Sequence, residues 1–145
     1  MLAGRAGRVE EARLAIECGA SAVGLVSEMP SGPGVISEEL IAEIAARVPP
    51  PVATFLLTCR QDAASIIAQQ RRCRVNTLQL CDRVGAEAYE ELRAELPGVS
   101  IVQVVHVTGE ESLVEALDVA RREAPDHAEV EERDHPVVAG EEDVA

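Results

Sequence analysis

The chain has 145 residues, a formal net charge of −13 and only two aromatic residues, Phe55 and Tyr89. This length fits one domain with a real core, but it is short for a complete (β/α)8 barrel of about 250 residues. The negative charge and the scarcity of aromatic rings exclude a nucleic-acid partner, because such binding needs clustered cations and stacking surfaces. No apolar run approaches the roughly 20 residues that span a bilayer, so we expect a cytoplasmic protein without a membrane partner.

Five apolar runs, each followed by an amphipathic helical stretch, predict consecutive strand–helix units with parallel strands. The predicted strands are Leu2–Ala6, Ser21–Val26, Val52–Leu57, Val75–Leu80 and Ser100–Val107. The predicted helices cover about 8–18, 38–47, 62–72, 86–96 and 110–122. Such units build either a doubly wound sheet or a barrel, and in both the chemistry lies at the C-terminal ends of the strands.

The segment Ser27–Ile36, SEMPSGPGVI, predicts an irregular loop because it contains two prolines and two glycines. Gly32 and Gly34 can let backbone N–H groups approach an anion, although the segment has no lysine and no dinucleotide-binding glycine spacing. A rigid connector between strand and helix is the interpretation we favour. Ser37 and Asp62 carry the side chains that begin the second and third helices.

The C-terminal segment Glu123–Ala145 has nine acidic residues in 23 and no sustained period. It predicts a solvated or disordered tail, apart from the short strand-like run His135–Gly140. The expected organisation is therefore one partial barrel domain over residues 1–122 and an acidic tail over residues 123–145.

The four cysteines, Cys18, Cys59, Cys73 and Cys81, have no CxxC or Cys/His spacing. A metal site or a disulfide framework thus has little support, and buried or incidental thiols are the simpler interpretation. At the end of the fourth strand, Cys81 is either a reactive thiol, with Arg83 as the local cation, or a small residue at the sheet edge. His106 either faces a ligand or is a hydrogen-bonded core histidine.

Three stretches resemble one enzyme family. RVEEARLAIECGASAVGLV (8–26), VNTLQL (75–80) and AELPGVSIVQVVHV (94–107) are similar to the first unit, fourth strand and fifth strand of phosphoribosylanthranilate isomerases. The resemblance covers about residues 2–120. It implies an α/β fold of the (β/α)8 TIM-barrel type, here incomplete with about five βα units. It also implies an Amadori aldose–ketose isomerisation in tryptophan biosynthesis, with a small phosphorylated substrate and no cofactor or metal.

Most of the catalytic residues of that family have no matching side chain in this sequence. The general-base cysteine of the first strand falls on Gly4, and Cys18 lies at the far end of the first helix. The arginine that recognises the substrate carboxylate falls at about Gly34. The resemblance places the general-acid aspartate of the sixth strand at Asp134. The alternative is that Asp134 belongs to a solvent-exposed run of charged residues without a catalytic role.

The resemblance implies Gln79, Cys81 and Gly140 as binding residues, and His106 joins them because it lies near the end of the fifth predicted strand. In the family's Q-L-H-G motif, Gln79 is retained, while the histidine becomes Cys81 and the glycine becomes Asp82. Gly140 is the one glycine left from the phosphate-binding loop.

The sequence therefore predicts a truncated or degenerate isomerase-like protein with little or no activity. The alternative is a non-catalytic α/β module that forms a homodimer through an open sheet edge. A third possibility is that the acidic tail reflects an error in the reading frame.

Overall fold

The computed structural model describes residues 4–122 and 127–132, in which six strands alternate with five helices. The strands are β1 (Gly4–Arg5), β2 (Ala22–Val26), β3 (Ala53–Thr58), β4 (Thr77–Leu80), β5 (Ser100–Val107) and β6 (His127–Glu132). The helices are α1 (Val9–Glu17), α2 (Glu38–Arg47), α3 (Ala63–Cys73), α4 (Ala86–Glu95) and α5 (Glu110–Arg122). No helix in the described ranges is long and apolar enough to cross a membrane.

The strands form one sheet in the order β1-β2-β3-β4-β5-β6, and all neighbours are parallel. Parallel crossovers are right-handed, so a strand order that never reverses places successive helices on the same face. A doubly wound sheet instead reverses its strand order at a switch point. The sequential order therefore makes this a partial (β/α) barrel, as predicted.

Local signals fix where two of the helices begin. The Ser37 side chain accepts a hydrogen bond from the Leu40 N–H at 3.2 Å, and the Asp62 carboxylate accepts one from the Ser65 N–H at 2.8 Å. These contacts satisfy N–H groups that the first helical turn leaves unpaired. They confirm the predicted Ser37 cap and show that Asp62, predicted as an acid favourable to the helix dipole, also caps α3.

The core lies between the sheet and its helices. Leu25, Leu56, Leu78 and Ile101 form one register row across β2 to β5, and none of them is more than 2% exposed. Buried helix residues pack in the same cluster: Ile41, Ile44, Ile66, Ile67, Cys73, Tyr89 and Leu92. Branched aliphatic side chains thus supply the interface that a parallel sheet needs on its helix-covered face.

The sixth strand differs from the expectation of an irregular acidic segment after residue 122. β6 pairs with β5 over its whole length, from Val102↔His127 to Val107↔Glu132. The sequence HAEVEE alternates polar and apolar residues with the period of a strand, and pairing satisfies the backbone groups along the edge of β5. The remaining tail, including His135–Gly140, lies outside the described residues.

Candidate functional site at the C-terminal ends of the strands

The face of the sheet opposite the helix-packed row carries the candidate site. Leu57, Gln79 and Val102 form a register row on this face, one residue beyond the core row. Side chains alternate along a strand, so Cys59, Cys81 and His106 project to this same face. Cys59 and Cys81 directly follow β3 and β4, and His106 lies near the end of β5. In a barrel this end is the mouth at which ligands bind.

Gln103 holds the loop between β4 and α4. Its side chain is 1% exposed, and its Nε2 donates to the carbonyl oxygens of Leu80 at 3.1 Å and Asp82 at 3.2 Å. The amide also contacts the carbonyl of Val104, while the Tyr89 hydroxyl donates to Oε1. A buried amide with several bonds makes this loop a rigid support for the residues at the mouth.

Two of the predicted binding residues meet across β4 and β5. The Nε2 of His106 lies 3.2 Å from the carbonyl oxygen of Cys81, and both residues are half-buried. The bond requires the tautomer with hydrogen on Nε2, which then donates to the carbonyl. Gln79 is half-buried two residues earlier on β4, so three predicted binding residues lie on neighbouring strands at the same end of the sheet.

Cys59 was not among the predicted site residues. It follows β3 directly, at the register position beside Cys81 at the end of β4. Burial raises the pKa of Cys59, and the Asp82 carboxylate adds to this increase by its charge and by accepting the thiol hydrogen. The sequence did carry a signal, because a cysteine follows within two residues of the end of each of two successive predicted strands.

Gly4 lies in β1 and pairs with Val23 of the neighbouring strand. The residue that the resemblance assigns to the general base is thus in the first strand but has no side chain. Ser27, just after β2, was missed from the sequence. It is fully buried, and its hydroxyl donates to the carbonyl of Leu57 at 2.7 Å, which ties the end of β2 to β3.

The loop after β2 is anchored at its far end. Val35 forms a β-bridge with Val26, and the Ile36 N–H donates to the Val26 carbonyl at 2.9 Å. Gly32 and Gly34 have φ values of 127° and 87°, a region that side chains disfavour. At the position of the family's carboxylate-binding arginine, Gly34 therefore contributes backbone only.

A cluster of charges lies beside this end of the sheet, between α2 and α3. The Glu38 carboxylate accepts hydrogen bonds from Arg72, from Arg60 at 3.0 Å and from Gln69 at 3.1 Å. The hydrogen bond from Arg72 is the main reason that the pKa of Glu38 is lowered, and burial opposes it. Because its carboxylate oxygens bind side chains of neighbouring segments, Glu38 links the two helices.

The two C-terminal site predictions, Asp134 and Gly140, lie outside the described residues. In the part of the chain that the structure describes, no group of three or more His, Cys, Asp or Glu side chains is arranged to hold a metal ion. Arg83, the cation predicted to stand near Cys81, pairs with Glu115 of α5 at 3.1 Å.

Comparison with known proteins gives one curated relative and several barrel structures, while no family model matches the chain. N-(5'-phosphoribosyl)anthranilate isomerase 2 from Methanosarcina mazei is 31% identical over 103 residues, which are 70% of this chain and 46% of that protein. A phosphoribosylanthranilate isomerase in complex with reduced 1-(o-carboxyphenylamino)-1-deoxyribulose 5-phosphate superposes with a TM-score of 0.75 at 22% identity, covering 92% of this chain and 66% of that one.

A third match is a monomeric form of the dimeric phosphoribosylanthranilate isomerase from Thermotoga maritima. Its TM-score is 0.73 at 21% identity, and the match covers 91% of this chain and 65% of that one. The two structures share the barrel fold with this chain, and the Methanosarcina mazei relative is similar to it in sequence. The chain spans about half the length of that curated relative. The sequence similarity, together with the shared barrel fold, supports a member of the phosphoribosylanthranilate isomerase family.

Proposed function

We propose that this chain is a phosphoribosylanthranilate isomerase-like protein that keeps the barrel mouth but isomerises its substrate poorly or not at all. The observation that carries the proposal is Gly4 in β1, paired with Val23, at the position assigned to the general base. General acid–base catalysis contributes typically about 10²–10⁴-fold to a rate, and a glycine supplies no group for proton transfer.

The ligand that we propose belongs to the chemical class named for the relatives, a phosphorylated ribose joined to anthranilate. Gln79, Cys81 and His106 support this choice because they place amide, thiol and imidazole groups at one end of the sheet. Asp134 and Gly140 are retained as the proposed acid and phosphate-binding residues. A cytoplasmic location is part of the same proposal, since the relative's substrate is a small soluble metabolite.

The proposal predicts that the chain will not restore growth of a tryptophan auxotroph that lacks the isomerase. Gly4→Cys is expected to increase turnover of the purified protein by about 10²-fold or more, because it returns a proton-transfer group to β1. Gly4→Ala is the matched control, since it adds a Cβ without an ionisable group.

Growth supported by the unchanged chain would contradict the proposal. Equal turnover of the Cys and Ala variants would show that Gly4 is not where activity is lost. Calorimetry with reduced 1-(o-carboxyphenylamino)-1-deoxyribulose 5-phosphate, the compound bound in the related structure, measures ligand binding independently of turnover.

A second function, self-association without catalysis, is favoured by an apolar surface on α5. Leu113, Val114 and Leu117 are 54%, 68% and 57% exposed, and the described sheet remains open between β1 and β6. Exposed apolar clusters of this kind mark interaction surfaces. The dimeric state of the Thermotoga maritima relative adds support for a homodimer.

Sedimentation velocity tests this second function. The double variant Leu113→Glu/Leu117→Glu is expected to sediment as a monomer at concentrations where the unchanged chain is dimeric. Leu14→Glu is the control, because Leu14 is 61% exposed on α1, away from α5. A monomeric unchanged chain, or dimers that survive the double substitution, would exclude α5 as the interface.

A further inference from the structure

Cys59 and Cys81 are neighbours because of the strand register. Thr58 of β3 and Leu80 of β4 are the last register partners of these strands, and each cysteine is the next residue. The Cys81 N–H donates to the Thr58 carbonyl at 2.9 Å, so the parallel pairing continues to this point. Neighbouring strands lie about 4.8 Å apart, which falls within the Cα separation of about 4.4–6.8 Å that a disulfide requires.

The side chains of the pair also meet. Residues opposite each other in parallel strands project to the same face, and the Cys81 side chain is near enough to Cys59 to affect the pKa of its thiol. Both are half-buried thiols. By contrast, Cys18 is exposed at the C-terminal end of α1, and Cys73 is buried in the core, where burial raises its pKa to about 11.

We propose that Cys59 and Cys81 form a reversible dithiol–disulfide site at the barrel mouth, which exchanges with low-molecular-weight disulfides such as glutathione disulfide. The Cys81 thiolate attacks one sulfur of the small disulfide, whose S–S bond breaks and releases one thiol. The Cys59 thiolate then attacks the Cys81 sulfur and releases the second thiol. The protein pair loses two electrons and two protons, and the small disulfide is reduced to two thiols.

The neighbouring carboxylate sets the speed of the second step. Burial and Asp82 keep the Cys59 thiol protonated, and thiolate is the attacking species. Closure of the disulfide is therefore slow at neutral pH and accelerates as the pH rises. Asp82→Asn removes the charge while its backbone carbonyl can still accept the hydrogen bond from Gln103. We expect severalfold faster closure in this variant, and no change in the control Glu87→Gln on an exposed part of α4.

Peptide mapping tests the proposal on the full, unmodified chain. After incubation with glutathione disulfide and alkylation of remaining thiols, trypsin releases Cys59 in Val48–Arg60 and Cys81 in Val75–Arg83. We expect these two peptides to be joined by a bond that reductant breaks, with Cys18 outside the linked species. The oxidised protein is expected to melt roughly 5–10 °C higher, because the bond closes the segment containing α3.

Two further samples test whether the β3–β4 register directs the pairing of Cys59 with Cys81. Cys59→Ser is expected to stop at a glutathione adduct on Cys81, and the urea-unfolded chain is expected to give mixed pairings. Absence of the linked peptides from the native protein would overturn the proposal. So would identical pairing in the native and unfolded chains, since the strand register would then play no part.

Discussion

Replacing Leu56 with alanine is expected to lower the free energy of unfolding by about 3–4 kcal/mol, the cost of a lost side chain and the cavity it leaves. Leu56 is fully buried in β3, and its register partners are Leu25 and Leu78. Both flanking strands are fixed in parallel pairing, so the neighbouring side chains have little room to collapse into the space. Urea unfolding followed by circular dichroism at 222 nm measures the loss.

Leu14→Ala is the matched control for this prediction. It makes the same chemical change at a site that is 61% exposed on α1, where we expect a change within about 0.5 kcal/mol. Similar losses in the two variants would mean that the row through Leu25, Leu56 and Leu78 is not the core that holds the helices to the sheet.

The sequence predicted β2 to β5 and the beginnings of α2 and α3 because their signals are local. Apolar runs are bounded by residues that cap or break helices, and the bounds of β5 coincide with the prediction. The order of the strands is not local, so the choice between barrel and doubly wound sheet depended on family resemblance. β6 was missed because its acidic composition hid an alternating pattern whose partner is the edge of β5.

The candidate site was predicted only in part, for a similar reason. Gln79 was predicted from the resemblance to the family's Q-L-H-G motif, while Cys81 and His106 were singled out because each stands near the end of a predicted strand. The contact between Cys59 and Cys81 needs the β3–β4 register, which neither strand specifies by itself. Gln103 looked like a polar interruption of an apolar strand, and only its buried partners on other segments reveal its structural role.

Gln103→Leu is expected to lower the free energy of unfolding by about 2–4 kcal/mol, although leucine fills a similar volume. The substitution leaves the Tyr89 hydroxyl without its buried acceptor and removes the donor to the carbonyls of Leu80 and Asp82. Tyr89→Phe alone is expected to cost about 1–2 kcal/mol, because it leaves Oε1 of Gln103 unsatisfied by the hydroxyl.

In the double variant Tyr89→Phe/Gln103→Leu, the loss in the free energy of unfolding is expected to be at least about 1 kcal/mol smaller than the sum of the two single losses. Removing both partners leaves fewer buried polar groups unpaired. The rate at which Cys81 is alkylated in the native state distinguishes a loss of support for the β4–α4 loop from a general loss of stability. It should accelerate in Gln103→Leu more than in Leu56→Ala, which has a comparable loss of stability but keeps the hydrogen bonds to the β4–α4 loop. Additive losses, or equal acceleration in the two variants, would show that Gln103 merely fills the core and does not hold the mouth of the barrel.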